Sequence, residues 1–482
     1  MNPIRWAVSI IKDLFALNKS IQQVFGVKIA TSTTMQAFQT EWRNIVAGAA
    51  TWNDKDTPSR LLADTVSDEV AKRVALLECE VKGSARADYL NEQLEPVIED
   101  LQYAVQSVCN YGEAIYKPYI KADTIKVTLV EIDSYWPIGY NTEDELIDVV
   151  FGAVYQTDKF IYRLLERHTY NAENLTHTVE YRAFKSEHQS HGFTPENIGR
   201  PVALTEVPDW SMLQDITITQ MEKPLFVTMT APPTRKFEKP QRQGVPIWSK
   251  AIDDFRKADE HEARTEWEFK GSELAVDVSD DHLQTTGSNK PGENKKKQDI
   301  SMPERDKRLF RKHNVGAEDM KITVYNPEPR IISYAKRMND ILRSIEFLSG
   351  LSFGILSDNN LVEKTAEEYK SSKDRLIATI NGVRTKTMKP ALEHLLESFN
   401  VLADIQGIAH GNYESSFDWS ESYAIDRKAE VSERFALFKG NALFLDEFRA
   451  YFNETTIDEA RKELDERGVP YNPIKDEFDV TA

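Results

Sequence analysis

Residues 349–372 read SGLSFGILSDNNLVEKTAEEYKSS, and the organisation of the 482-residue chain follows from how this stretch is read. An apolar segment runs into Gly350 and Gly354, breaks at Ser357-Asp358-Asn359-Asn360, and restarts at Thr365. Thr365-x-x-Glu368 has the form of a capping box, whose reciprocal side-chain bonds satisfy the exposed N–H groups of a helix start. Upstream, after Pro327 and Pro329, the residues Ile331, Ile332, Ala335, Ile341, Ile345 and Leu348 are spaced for burial on a helix. Downstream, Tyr369, Leu376, Ile380, Val383, Met388, Leu392, Leu395, Phe399 and Leu402 continue one stripe. That stripe lasts about 40 residues, or ~60 Å at the helical rise. Pro390 falls inside it and predicts a kink near Arg384 to Lys389. Two long helices are thus joined by a small polar loop, with glycines to permit the bend and Asp and Asn suited to a turn.

Working outward, Pro246 stands where a helix favours proline, and IWSKAIDDFRKADEHEARTEWEFK predicts a helix to about Lys270. Its stripe of Ile247, Ala251, Phe255, Ala258 and Glu262 is too thin for a core helix and fits one that packs along a single seam. Between the two helices, residues 273–325 form an insert in which ELAVDV and MKITVYN look like strands. The polar stretch between those strands carries Lys295, Lys296 and Lys297 and a second basic cluster from Arg305 to Lys312. A connection of this length is functional or mobile. The lysine run has two readings, a solvated tip or a docking patch for an acidic partner or a DNA backbone.

Residues 1–120 read as mostly helical. Helices are expected from Met35 to Ala47, across LLADTVSDEVAKRVALLE with its stripe of Leu62, Val66, Val70, Val74 and Leu77, and from Leu90 to Asn110, ending at Gly112. The first twenty residues read as a short amphipathic helix: Lys12-Asp13 interrupts the apolar run, no small-residue cleavage site follows, and no segment is long enough for a membrane span. From Ile115 to Phe184 the period changes to two, and short strands separated by turns predict an antiparallel meander. Residues 185–245 are loop-rich. The C-terminal part reads as two or three short helices with a turn at Gly440-Asn441, then a polar tail.

The formal charge of −18 excludes a protein that coats nucleic acid through general basicity. Cys79 and Cys109 are the only cysteines and suggest no disulfide framework, which fits an intracellular setting. No phosphate-binding glycine loop, nucleophile elbow or HExxH motif occurs; His261-Glu262 is followed by Thr265 where a second histidine would stand. His188 and His191 read as a solvated loop, and adjacent carboxylates are expected by chance among 78 acidic residues. No catalytic residue, metal site or cofactor is expected.

The order of elements resembles the portal proteins of tailed bacteriophages, particularly long-tailed phages of Gram-positive hosts, from about residue 35 to 465. The residues carrying the likeness are EWRNIVAGAATWN and the helix ending ALLECEVK; NYGEAIYKPYI leading into IKVTLVEIDSYWPIG; KPLFVTM before GVPIWSKAIDDFRKAD; LSFGILS with KTAEEYKSS; and FDWSESYAIDRKAE with the later FKGNAL and TTIDEARKEL.

The resemblance implies an α+β, predominantly helical ring subunit. Residues 1–34 would be an N-terminal helical segment, 35–245 the wing, 246–272 and 328–350 the stem helices and 273–327 the clip. Residues 351–364 would be the tunnel loop, 365–404 a long kinked wing helix, and 405–482 the crown and tail. It also implies a dodecamer at a capsid vertex of the virion, assembled in the bacterial host cytoplasm. That ring would pass double-stranded DNA during packaging and ejection without chemistry of its own. Its partners would be the terminase large subunit, a head-tail adaptor and the major capsid and scaffolding proteins, with no membrane. Asp358, Asn359, Asn360, Glu363 and Lys364 would border the DNA. Lys364 is the candidate phosphate contact, or equally a charge flanking a helix N-terminus. Lys295, Lys296, Lys297, Arg305, Lys307 and Arg308 would be the docking residues of the clip. Two rival readings are a metal-dependent DNA-processing enzyme, which the missing motifs disfavour, and an intracellular helical scaffold unrelated to DNA.

Overall fold

The computed structural model describes residues 21–121, 124–187, 198–232, 237, 242–279, 310–313, 323–358, 366–419, 434–435, 437–439, 443–453 and 456–468. The chain divides into a larger unit, Met1–Ala75 with Cys79–Phe417, and a smaller one, Leu76–Glu78 with Asp418–Ala482.

The larger unit opens with helices. In α1 (Thr33–Val46) the Ser32 hydroxyl accepts from the Met35 amide at 3.0 Å, supplying an acceptor to one of the unpaired N–H groups of the first turn. In α2 (Leu62–Val74) the predicted stripe of Val66, Val70 and Val74 is fully buried. This helix stops four residues short of the expected Glu78, because Leu77–Lys82 alternates in burial and forms strand β1. The helix expected from Leu90 to Asn110 is two helices, α3 (Ala85–Glu99) and α4 (Leu101–Tyr111), broken at Asp100 four residues after Pro96. It ends at Gly112 as expected: φ is +83°, and a Cβ there would lie 2.2 Å from the Val245 nitrogen.

The expected meander is present. Strands β4 (Tyr135–Tyr140), β5 (Leu146–Gln156), β6 (Phe160–Asn171), β7 (Thr176–Glu187) and β8 (Arg200–Val202) pair in that order, all antiparallel, and β9 (Ile216–Thr219) adds to β7. A second sheet places β2 (Glu113–Lys121) between β3 (Thr124–Val130) and β10 (Val227–Thr230). Alternation along β5 divides the core. Val150 packs with Ile21, Leu165 and Phe184 on one face, while Val149 and Phe151 pack with Ile115, Tyr135 and Phe226 on the other. A two-stranded sheet pairs β1 with β14 (Glu414–Trp419).

Helix α5 (Ile252–Gly271) begins six residues after Pro246, later than expected. Residues 246–251 form successive turns instead, with Ser249 N bonded to Pro246 O and Ala251 N to Trp248 O, and Ile247 N is held by Cys109 O of α4. Ile247, Trp248 and Ala251 are buried in those turns. Within α5 the apolar seam is as thin as expected, Phe255 and Ala258 alone, and it is extended by two buried acids. Asp259 accepts from Trp52 Nε1, Asn53 Nδ2 and Arg60 N, each at 2.9 Å. Asp254 accepts from Ser344 Oγ at 2.6 Å and Lys257; burial opposes its charge, but these donors hold its carboxyl below the usual range.

Helix α6 (Ile331–Ser349) runs antiparallel to α5, since Arg330 pairs with Glu268, Tyr334 with His261 and Ser344 with Asp254. The two helices are bridged by a three-stranded sheet in which β11 (Ala275–Ser279) is parallel to β12 (Phe310–His313) and antiparallel to β13 (Thr323–Tyr325). The burial expected along all of α6 holds for Ile341 and Ile345 but not near its start: Ile331 is 47 % exposed, Ile332 86 %, and Ala335 is exposed as well.

After the turn come α7 (Ala366–Val383), a π turn at Arg384–Met388 and α8 (Lys389–Ile405). The expected irregularity before Pro390 is therefore a widened turn. Thr365 and the Glu368 side chain, and with them the capping box, lie outside the described residues, as do residues 1–20. In the smaller unit α9 (Leu445–Asn453) packs on α10 (Ile457–Glu466), tied by Arg461 to the buried Asp446 at 2.7 Å. Gly440-Asn441 lies outside the described residues.

Candidate functional site

The described part of the turn between α6 and α7 carries a dense set of polar contacts. Helix α6 ends in a Schellman arrangement: Leu351 N bonds to Glu346 O at 2.8 Å and Gly350 N to Phe347 O, with Gly350 at φ +76°. A Cβ on Gly350 would lie 2.3 Å from Thr379 Oγ1 of α7, whose hydroxyl donates to Gly350 O at 3.0 Å. This position therefore needs glycine both for its backbone angle and for its contact with the next helix.

Glu346 is fully buried, and the turn wraps around it. Its Oε1 accepts from the amides of Gly354 (3.0 Å), Leu356 (2.6 Å) and Ser357 (3.0 Å), and Oε2 accepts from Ser357 Oγ at 2.7 Å. Two turns earlier on the same face, Asn339 clamps Asp358 from both sides, accepting from its N–H at 2.7 Å and donating to its C=O at 3.2 Å. From α7, the buried Ser372 hydroxyl accepts from the Phe353 amide. The Phe353 ring lies within 4.8 Å of the Arg343 guanidinium and 5.4 Å of that of Arg375, which also stacks 4.4 Å from Phe347. The turn is thus bonded to both helices through residues 350–358 and carries two guanidinium groups beside it.

Asp358 is exposed at the end of this wired segment. Asn359, Asn360, Glu363 and Lys364 lie outside the described residues, as do Lys295, Lys296, Lys297, Arg305, Lys307 and Arg308, and His188 and His191. Of the residues that hold the turn, Ser357 was read from the sequence as part of the break, whereas Glu346, Asn339, Ser372, Arg343 and Arg375 were not singled out. The available signal was spacing: Asn339 and Glu346 are seven residues apart, hence on one helix face.

Among the described residues no group of three or more His, Cys, Asp or Glu is arranged to hold a metal ion. Burial pushes the thiol of Cys79 up to about 11 and that of Cys109 up to about 12, which keeps both protonated and poorly nucleophilic. Among the described residues no helix is long and apolar enough to cross a membrane.

No protein-family model matches the chain, and no curated protein does. Among solved structures the chain is similar to one described as "Neck of native GTA particle computed with C12 symmetry", with a TM-score of 0.38 and 11 % identity over 90 % of this chain and 99 % of that one.

Proposed function

We propose that the chain is a portal subunit of a tailed phage or phage-like particle, forming a dodecameric ring that conducts double-stranded DNA. The observation that carries this reading is the arrangement of residues 252–405: an antiparallel helix pair, α5 and α6, bridged by its own small sheet, then a turn wired to both flanking helices, then a long helix widened by a π turn. In this reading α5 and α6 are the stem, β11–β13 belong to the clip, residues 351–364 form the tunnel loop, and the sheets of residues 113–230 form the wing. Helix α5 has so little buried apolar surface, and α6 leaves its first turns so exposed, that both suit a subunit whose neighbours supply the missing contacts.

The role is passive. A packaging motor docks on the clip, the channel guides the duplex, and an adaptor later closes the tail side. Asp358, Asn359, Asn360, Glu363 and Lys364 border the DNA, and Lys295, Lys296, Lys297, Arg305, Lys307 and Arg308 face the docking partner. Negative-stain imaging of the purified protein tests the reading: closed rings with twelvefold or a neighbouring symmetry and a hole of duplex width are expected. A protein that stays monomeric at high concentration counts against it, and metal-dependent nuclease turnover lost with one carboxylate would replace it with the enzyme reading.

A further inference from the structure

Between the β3–β2–β10 sheet and the six-stranded sheet runs a row of ionisable side chains unrelated to the turn. Lys117 of β2 bonds to Glu166 Oε2 of β6. Glu166 Oε1 lies 2.8 Å from His168 Nε2, His168 Nδ1 lies 2.9 Å from His177 Nε2 of β7, and the Leu225 amide reaches His177 Nδ1 at 3.4 Å. Both histidines are buried, and the rings of Phe151 and Phe226 pack edge-on or tilted against them. Lys117 belongs to β2, and Leu225 leads into its partner strand β10. Both ends of the row therefore join the three-stranded sheet to the six-stranded one.

The hydrogens of this row can be counted. The Leu225 N–H fills the first link, so His177 Nδ1 must be bare and His177 carries its proton on Nε2. That proton fills the second link, so His168 Nδ1 is bare, and His168 Nε2–H donates to the Glu166 carboxylate. Each ring carries one proton, and every link holds one hydrogen. A third ring proton places two hydrogens in one link, either between the rings or against the Leu225 amide, and a buried donor facing a donor loses its bond.

We propose that His168 and His177 form an acid-sensitive latch between the two sheets, closed while both rings are neutral and opened by one added proton. The groups facing it are few. Glu166 is held well below the usual carboxylate range: burial opposes its charge, but Lys117 and His168 outweigh it. Tyr181 also bonds to Glu166, and burial raises its hydroxyl. Burial lowers both histidines, and on His177 the neighbouring ring adds to that. On either side Tyr170 donates to Glu222 O at 2.6 Å, and His394 of α8, near Lys223 and Glu397, meets Pro224 O at 2.8 Å. Neither of those bonds is lost when a histidine gains a proton. A groove of about 720 Å³ opens over Lys117 and Glu166, at one end of the row.

Because burial lowers the folded-state values, the unfolded chain takes up protons first. The latch contributes fully above the ordinary histidine value of about 6.5 and weakens as pH falls below it. Hydrogen exchange of the full-length protein, corrected for the intrinsic rate, tests this at about pH 7.5 and about pH 5. In the wild type, residues 222–230 should exchange about ten-fold faster at the lower pH while residues 391–403 of α8 change little. In His177→Gln the pH difference should vanish. Equal protection of 222–230 at both pH values, or a ten-fold difference that persists in His177→Gln, overturns the latch. If that variant does not fold, histidine-selective NMR of the wild type decides. Two imidazoles should titrate well below about 6.5, together with the loss of protection. Titration of every ring near the ordinary value with 222–230 still protected overturns the proposal.

Discussion

A carboxylate taken out of water is costly unless its lone pairs are filled, and Glu346 meets that cost with four donors from a single turn. The same bonds decide the turn's shape, because the amides of Gly354, Leu356 and Ser357 have no helical or sheet partner there. Glu346→Ala strips the amides of Leu356 and Ser357 of their acceptor and leaves Gly354 N only the Ser357 hydroxyl at 3.2 Å, and a loss of about 3 kcal/mol is expected from unsatisfied donors of this kind. Glu346→Gln keeps one acceptor oxygen and should lose less. Denaturant unfolding of the two variants beside the wild type checks this, and an unchanged midpoint for the alanine variant would show that the turn does not depend on Glu346. The turn itself was legible in the sequence, since glycines and an Asp-Asn-Asn run announce one. Its anchor was not, because a glutamate in a helix reads as surface until the chain that folds over it is known.

At the scale of elements, periodicity reported which residues share a face but not what covers the face. Val66, Val70 and Val74 were read correctly because their cover lies within the chain. Ile331 and Ile332 carried the same signal and stand exposed, although Tyr334 in the same turn is held by His261 of α5. The break in the long helix was legible for a local reason: proline removes a hydrogen bond wherever it sits in a helix. What the sequence did not reveal is the use made of the widened turn. Arg384 Nη2 donates to Arg73 O at 2.6 Å, near the C-terminal end of α2, and Thr387 Oγ1 donates to Thr230 O of β10 at 2.7 Å. A guanidinium there meets the negative end of the α2 dipole and a carbonyl with no helical partner. Arg384→Met keeps most of the volume and removes the donor, and a destabilisation of about 1.5–3 kcal/mol is expected, the range for a charged hydrogen bond. Thermal unfolding measures it. A variant as stable as the wild type would mean that the π turn serves proline alone.

For the whole molecule the governing quantity is charge. Each chain carries −18, and a ring of twelve would carry on the order of two hundred negative charges, a field that repels a duplex at low salt. Phosphate contacts made by lysines and arginines release counterions and weaken as salt rises, so a basic DNA-binding ring loses affinity steeply with salt. An acidic channel that lets a duplex slide should behave in the opposite way. Its association with a short duplex should be weaker than ~100 μM at ordinary salt, below the usual range for non-specific binders. It should strengthen slightly, if it changes at all, as salt screens the repulsion over about 10 Å. Fluorescence anisotropy of a labelled duplex across a salt series reads both quantities on assembled rings. Micromolar binding with a steep negative salt slope would show a continuous basic track on the channel wall. The proposed passive role would then give way to a protein that grips DNA.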